Sequence, residues 1–484
     1  MKLIKLFSVL VGLVVLISLS SCTKQLARIN INPNAVENPQ PAYLLTNAII
    51  TACNTYWSLG AADGSNGNPS NLFVQYWASD QYTDQDRYIF ANNDFQGFWT
   101  SLYSGSLINL NEIIQLPDGE SNSNYKGIAL ILRSWEYCLL TDAFGDIPYS
   151  QSIQIEKYPT PAYDPQQKVY EGILNDLKIA LDSLNPDGAG VNGDVIYNGN
   201  INLWEKLDNS LRLRIALRIA DREPDLAKSV IQEISNSGGN YISSNSEIAE
   251  LNYLDAPNDN PLAELFLTRD DYRISKTIVD TLLKLNDPRL PIYAAPTQNP
   301  TPQIYVGFPN GLLPGNAGAI GLSNTSRPGS YFLAAHSPAV IMSYAEVLFD
   351  RAEAAARGFT DENAKALYQE AITASLQQYN ISQNVIDTYL DQPDIQYNPN
   401  NFKESIGDQK WIALFGEGSE AFAEWRRLGY PLLKPAVAGV LNGQMPLRFI
   451  YPGTEQSLNN KGYQQAITDQ GPNLLTTRLW FDVN

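Results

Sequence analysis

Between Tyr56 and Tyr103 the chain gathers the residue types best suited to hold a ligand. Tyr56, Trp57, Phe73, Tyr76, Trp77, Tyr82, Tyr88, Phe90, Phe95, Phe98, Trp99 and Tyr103 make up a quarter of this window, against 11% aromatic residues in the whole chain. Asp80, Asp84, Asp86, Asn92 and Asn93 lie among them, and Gly64 to Ser70 is a Gly/Asn/Ser loop. Aromatic faces pack on the apolar faces of sugar rings, and short carboxylates and amides bind hydroxyls, so the mixture suits a carbohydrate site. The candidate stacking rings are Trp57, Trp77, Tyr82, Tyr88 and Phe95, and the candidate polar contacts are Asp80 and Asp84. The same rings would equally serve as the core of flanking helices, and exposure decides between the two.

Other chemistry finds less support. Asp80, Asp84 and Asp86 lack the glycine and distal glutamate that would complete an EF-hand loop. A glycosidase needs two placed carboxylates, and among 51 acidic residues no pair stands out. The one histidine, His336, has no cysteine or serine nucleophile motif nearby, which makes it a surface or packing residue. No zinc ligand set can be built from it and two cysteines without carboxylates. We therefore expect no catalytic residues, no metal and no cofactor. A second polar stretch, Gly238 to Ser337, is loop-rich over some hundred residues. Loops of that length in a compact protein usually carry function. Arg327 is its candidate ligand contact, with Tyr305, Phe308 and Tyr331 beside it.

The elements that must position these residues are helical. From Pro338 to Arg357, Ile341, Ala345, Leu348, Ala352 and Ala355 recur at steps of three and four, as on one helix face, with Pro338 at the start and Gly358 at the end. In the following segment Ala364, Tyr368 and Ala371 share a stripe with Leu367 beside it, the small–aromatic–small spacing of two tightly crossed helices in a tetratricopeptide unit. Ile128 to Phe144 pairs with Lys168 to Leu184, and Trp204 to Ala220 with Glu223 to Ser235. A helix from Ala42 to Trp57 pairs with one through Trp99 to Ile114. Four helical hairpins without strand–helix alternation predict a mainly α fold, with a tetratricopeptide-like scaffold on one side and loops carrying little β structure on the other.

The chain has 484 residues, 44% of them hydrophobic and 17% charged, enough to bury a large core. Its formal net charge is −18, which argues against nucleic acid as a partner. Lys2 and Lys5 precede an apolar run from Leu6 to Leu19, and Leu19-Ser20-Ser21-Cys22 follows. This is the pattern of a signal peptide over residues 1–21, with Cys22 the lipidated residue of a bacterial lipoprotein. Residues 22–41, polar and rich in Asn and Pro, form the tether. Residues 42–484 form one domain, with loop-rich segments at about 58–97 and 238–337. Cys53 and Cys138 sit in apolar, helical contexts, as buried free thiols or one disulfide.

The lipoprotein cysteine, the Asp142-Ala143-Phe144-Gly145-Asp146-Ile147-Pro148-Tyr149 run, the helix from Tyr344 to Ala354, and Gln409-Lys410-Trp411 through Glu424-Trp425-Arg426-Arg427-Leu428-Gly429-Tyr430-Pro431 together resemble the SusD/RagB family of nutrient-binding lipoproteins of the Bacteroidetes outer membrane. The resemblance spans nearly the whole mature chain. It implies four tetratricopeptide units, non-catalytic capture of oligosaccharide or, in some members, peptide, and a SusC-like TonB-dependent barrel as partner, at the outer membrane through a lipid anchor and exposed at the cell surface. A protein-interaction scaffold or lid is the other function open to such a fold. Of the motif residues, Trp411, Phe415, Phe422 and Trp425 read as packing residues. Arg426 and Arg427 can pair with Glu420 or Glu424 on the same helix. The residues after Cys22 (Thr23, Lys24, Gln25) lack the acidic signal that the resemblance associates with surface export, and the aromatic platform of the starch-binding member has no residue-by-residue match.

Overall fold

The helices come first because their apolar stripes can be buried only against one another. A computed structural model describes residues 40–59, 67–299 and 301–484. The signal peptide, Cys22, most of the tether and residues 64–66 of the Gly64–Ser70 loop lie outside the described residues. Helix α1 (Pro41–Tyr56) has Pro at its first turn and buries Leu45, Ala48, Ile49, Ala52 and Cys53. It packs on a helical run that ends in α2 (Ile108–Ile114). Helices α3 (Glu120–Phe144) and α4 (Gln166–Ser183) form the second hairpin, and α5 (Ile201–Ile219) and α6 (Pro224–Asn236) the third. Helices α7 (Tyr344–Ala356) and α8 (Ala364–Gln378) form the fourth. The fold is mainly α, as expected.

The start of α7 differs from the sequence reading. Ala339–Met342 is a strand, β4, not a helical turn, and it pairs antiparallel with β2 (Ala249–Leu251). All four of its side chains are buried, and a short apolar run buried on both faces suits a strand as well as a helix. The helix begins after Ser343, whose Oγ accepts from Glu346 N at 3.1 Å. Ile341 therefore does not share the helical face. The other end is as read: Gly358 adopts φ +71° just past the helix, where a residue with a Cβ would be strained. The Gly238–Ser337 stretch is less bare than expected, with helices Pro261–Thr268, Lys276–Lys284 and Pro314–Ile320 and strand β3 (Tyr272–Ile274).

Helices α9 (Phe402–Ala413) and α10 (Gly418–Leu428) close the scaffold through buried charge. Arg214 on α5 holds Glu346 on α7 at 2.6 Å, and Arg218 holds Glu420 on α10 at 2.6 Å. Arg218 also reaches Asp142 on α3 at 3.2 Å. Arg427 pairs with Glu424 one turn away and with Glu353 on α7, both at 2.6 Å. Lys410 on α9 reaches Glu424 at 2.8 Å, so one network joins five helices, and because its members are hydrogen-bonded as well as paired, burial is tolerated. Arg426 departs from the sequence reading. Its Nε donates to Phe422 O and its Nη1 to Leu447 O, and the guanidinium lies 3.9 Å from the Phe422 ring centroid. Burial lowers its pKa to about 10.

Candidate functional site

Strand β1 (Trp77–Ser79) pairs antiparallel with β3, Trp77 opposite Ile274 and Ala78 opposite Arg273. The chain leaves this short ladder at Asp80, whose N–H donates to Asp271 O at 3.0 Å. Asp80 Oδ2 lies 2.9 Å from Arg273 Nη1, with both side chains buried. Burial pushes its carboxyl up to about 7, the opposing pull of Arg273 being smaller. Asp86 is the knot of the region. Its carboxylate accepts from Ser79 N at 3.2 Å, Gly311 N at 2.7 Å and Asn310 Nδ2 at 2.8 Å. Burial likewise pushes it up to about 7, against the three donors. Gly311 has φ +70°, and a Cβ there would meet Asp86 O at 2.8 Å and Ala436 Cβ at 2.4 Å, so only glycine lets the two segments approach.

Through this knot two segments distant in sequence form the walls of a groove of about 630 Å³. Asp80, Gln81, Tyr82, Thr83 and Asp84 make one wall; Pro314, Ala317, Gly318, Gly321 and Leu322 make the other. The second wall is a short helix of small residues started by Pro314, seated by Ala317 on Ala78 and Phe308. Tyr82 projects its ring 73% exposed. The Asp84 carboxylate is also exposed, 3.5 Å from Arg87. A wall of small residues faces a wall that carries one exposed ring and one exposed carboxylate, a combination chemically suited to a sugar ring.

The remaining predicted rings are not available to a ligand. Trp77 is fully buried, stacked 6.3 Å from Phe415 and packed on Phe266. Trp57 is buried and donates from Nε1 to Val340 O at 3.3 Å. Tyr88 is tucked beneath the chain, its Oη accepting from Ala436 N at 3.0 Å. Phe95 lies between Phe90 and Phe449 at 4.9 and 4.7 Å. Phe95 is core because its segment packs on the tail at Phe449, Tyr88 because Ala436 covers it, Trp77 because it meets Phe266 and Phe415, and Trp57 because it closes on β4. Arg327 lies outside the groove lining: its Nε is 3.0 Å from Asp270 Oδ1 and its guanidinium sits over Phe266. Phe308 is buried, and Tyr331 packs on Phe332 and Tyr379. His336 is exposed and paired with Asp255 at 2.9 Å. Asp86, in the calcium-loop pattern, is a structural anchor. Sequence reasoning missed the second wall; its one signal is the Pro314-Gly315-Asn316-Ala317-Gly318 run inside the flagged loop.

Among the described residues no three His, Cys, Asp or Glu side chains gather as a metal set, and no helix is long and apolar enough to cross a membrane. Residues 33–452 match the model of a SusD-like family described as starch-binding and associating with the outer membrane. The chain belongs to this family. Solved structures agree with the SusD-like fold. A chitin-binding protein is 28% identical, with a TM-score of 0.83 over 92% of this chain and 100% of that one. A SusD homologue from Bacteroides uniformis is 26% identical, with a TM-score of 0.81 over 91% and 100%. A chitin-binding SusD homologue from Flavobacterium johnsoniae, at 24% identity and a TM-score of 0.81 over 91% and 99%, shows the shared fold. No curated protein matches the chain. Of the residues on which the sequence resemblance rests, Asp142, Glu353, Glu424 and Arg427 are members of the buried charge network.

Proposed function

We propose that this SusD-like protein captures a neutral oligosaccharide, without catalysis, in the groove between Asp80–Asp84 and Pro314–Leu322, and delivers it to a SusC-like TonB-dependent barrel. In this reading Cys22 carries the lipid that anchors it to the outer membrane, exposed at the cell surface. The observation that carries the binding role is Tyr82, an exposed ring on the wall of a large groove. Among the groove's ten lining residues the exposed carboxylate is that of Asp84, and none is a lysine or arginine, which disfavours sulfated and uronic glycans. The family's starch-binding description and the chitin-binding name of a structural neighbour make glucose and N-acetylglucosamine oligomers the first probes.

The test is calorimetric titration of the mature chain lacking Cys22 with maltohexaose, N-acetylglucosamine hexamer, a uronic oligosaccharide and short peptides. Saturable binding of a neutral oligosaccharide, weakened in Tyr82→Ala, supports the reading. Binding of a peptide alone replaces it with peptide capture, and silence across the panel leaves the scaffold or lid role.

A further inference from the structure

Tyr82 holds its exposed ring on a backbone with φ +48°, in the left-handed region where a tyrosine is uncommon and must be held by its surroundings. The contact on its ring is the Arg269 guanidinium, 5.4 Å from the ring centroid. Arg269 is itself fixed, its Nε donating to Asp271 Oδ2 at 2.6 Å. The backbone carbonyl of that same Asp271 accepts from Asp80 N at 3.0 Å. One residue therefore ties down both the arginine and the start of the loop that carries the tyrosine. Arg269 is not part of the groove lining; it reaches the groove through the ring it covers and through the Asp271 contact it shares with the loop.

We propose that Arg269 is a positioning residue for capture: it occupies one face of Tyr82 and fixes the ring so that the opposite face is presented to the groove. The inference rests on the groove reading above. A guanidinium against an aromatic face supplies attraction enough to choose one ring orientation at an exposed site, and the Asp271 bond removes the freedom the arginine would otherwise lose. The bound sugar then meets a ring already in place, and less ordering is required on binding.

The test combines affinity with a ring-specific signal. Wild type, Arg269→Ala, Arg269→Lys, Tyr82→Ala and the Arg269→Ala/Tyr82→Ala double variant are titrated with maltohexaose and N-acetylglucosamine hexamer. The same proteins, labelled with 3-fluorotyrosine, are examined by fluorine NMR without ligand, the Tyr82 resonance being the one missing from Tyr82→Phe. Arg269→Ala should weaken binding about threefold, the scale of one exposed cation–π contact, with Arg269→Lys retaining most of the affinity. In the Tyr82→Ala background the arginine substitution should add no further loss, and in Arg269→Ala the Tyr82 resonance should shift. An equal loss in both backgrounds, or an unmoved resonance, overturns the inference. If Tyr82→Ala weakens binding but Arg269→Ala does not, the groove reading stands and the role of Arg269 is lost. If wild type binds neither sugar, or Tyr82→Ala binds as wild type does, the groove reading fails and the inference falls with it.

Discussion

The ammonium of Lys410 sits 2.5 Å from the carboxylate of Asp350, with both side chains 1% exposed. Glu424 approaches the same ammonium at 2.8 Å. Burial pushes Asp350 up to about 7 despite Lys410, and the surrounding acids raise the lysine despite its burial. Such a pair adds little net stability over an apolar one, but removing one partner strands a buried charge. Lys410→Met should therefore lower the free energy of unfolding by about 3–5 kcal/mol, measured by urea denaturation. A loss under about 1 kcal/mol would mean that the remaining acids rehydrate or share protons freely.

Trp77 and Tyr82 were candidates for one task, and their surroundings separate them. Trp77→Ala should cost about 3–5 kcal/mol, because it empties a packed site against Phe266 and Phe415. Tyr82→Ala should change stability by no more than about 0.5 kcal/mol, as at a surface position, while weakening sugar binding roughly tenfold. Thermal melts of the two single variants beside wild type check the contrast.

Asp80 gives a pH signature. Its folded pKa, about 7, stands above the ordinary carboxylate value, so the native state binds a proton that the unfolded chain has released. That contribution to stability is fully present below about pH 4 and is lost as pH rises to about 7. The stability of wild type relative to Asp80→Asn should fall across that window, at on the order of 1 kcal/mol per pH unit, and level off above it. A flat difference would mean that Arg273 keeps the carboxylate ionised throughout.

Cys53 and Cys138 are free and buried, and burial pushes both thiols up. In protein lacking Cys22, neither should react with Ellman's reagent at neutral pH on the timescale of minutes, and both should react once guanidinium unfolds the chain. Prompt labelling of the native protein would reveal opening of α1 or α3.

The scaffold was legible because its signals are periodic and local. The stripe of Ala364, Leu367, Tyr368 and Ala371 needs only the pitch of a helix to place it, and Gly358 marks a helix end by its own backbone preference. Ala339–Met342 was misread because four buried apolar residues carry no period, and its pairing partner Ala249–Leu251 lies some ninety residues earlier. The site was half legible. Asp80, Tyr82 and Asp84 come to line one groove, whereas Trp57, Trp77, Tyr88 and Phe95 look the same in sequence whether they face solvent or Phe449 and Phe415. Arg427 was seen to pair within its helix, and the larger part of its environment, Glu353, is 74 residues away.

Asp86 binds Asn310 across 224 residues of chain, and this has a bearing on how the protein comes into being. A polypeptide delivered N-terminus first carries Tyr82 and Asp84 early, yet it has no opposing wall until Leu322 has followed. Three of the four hairpins precede that point in sequence. A fragment ending ahead of Asn310 can therefore hold much of the scaffold while lacking the groove altogether, and the groove exists only once the greater part of the chain has arrived.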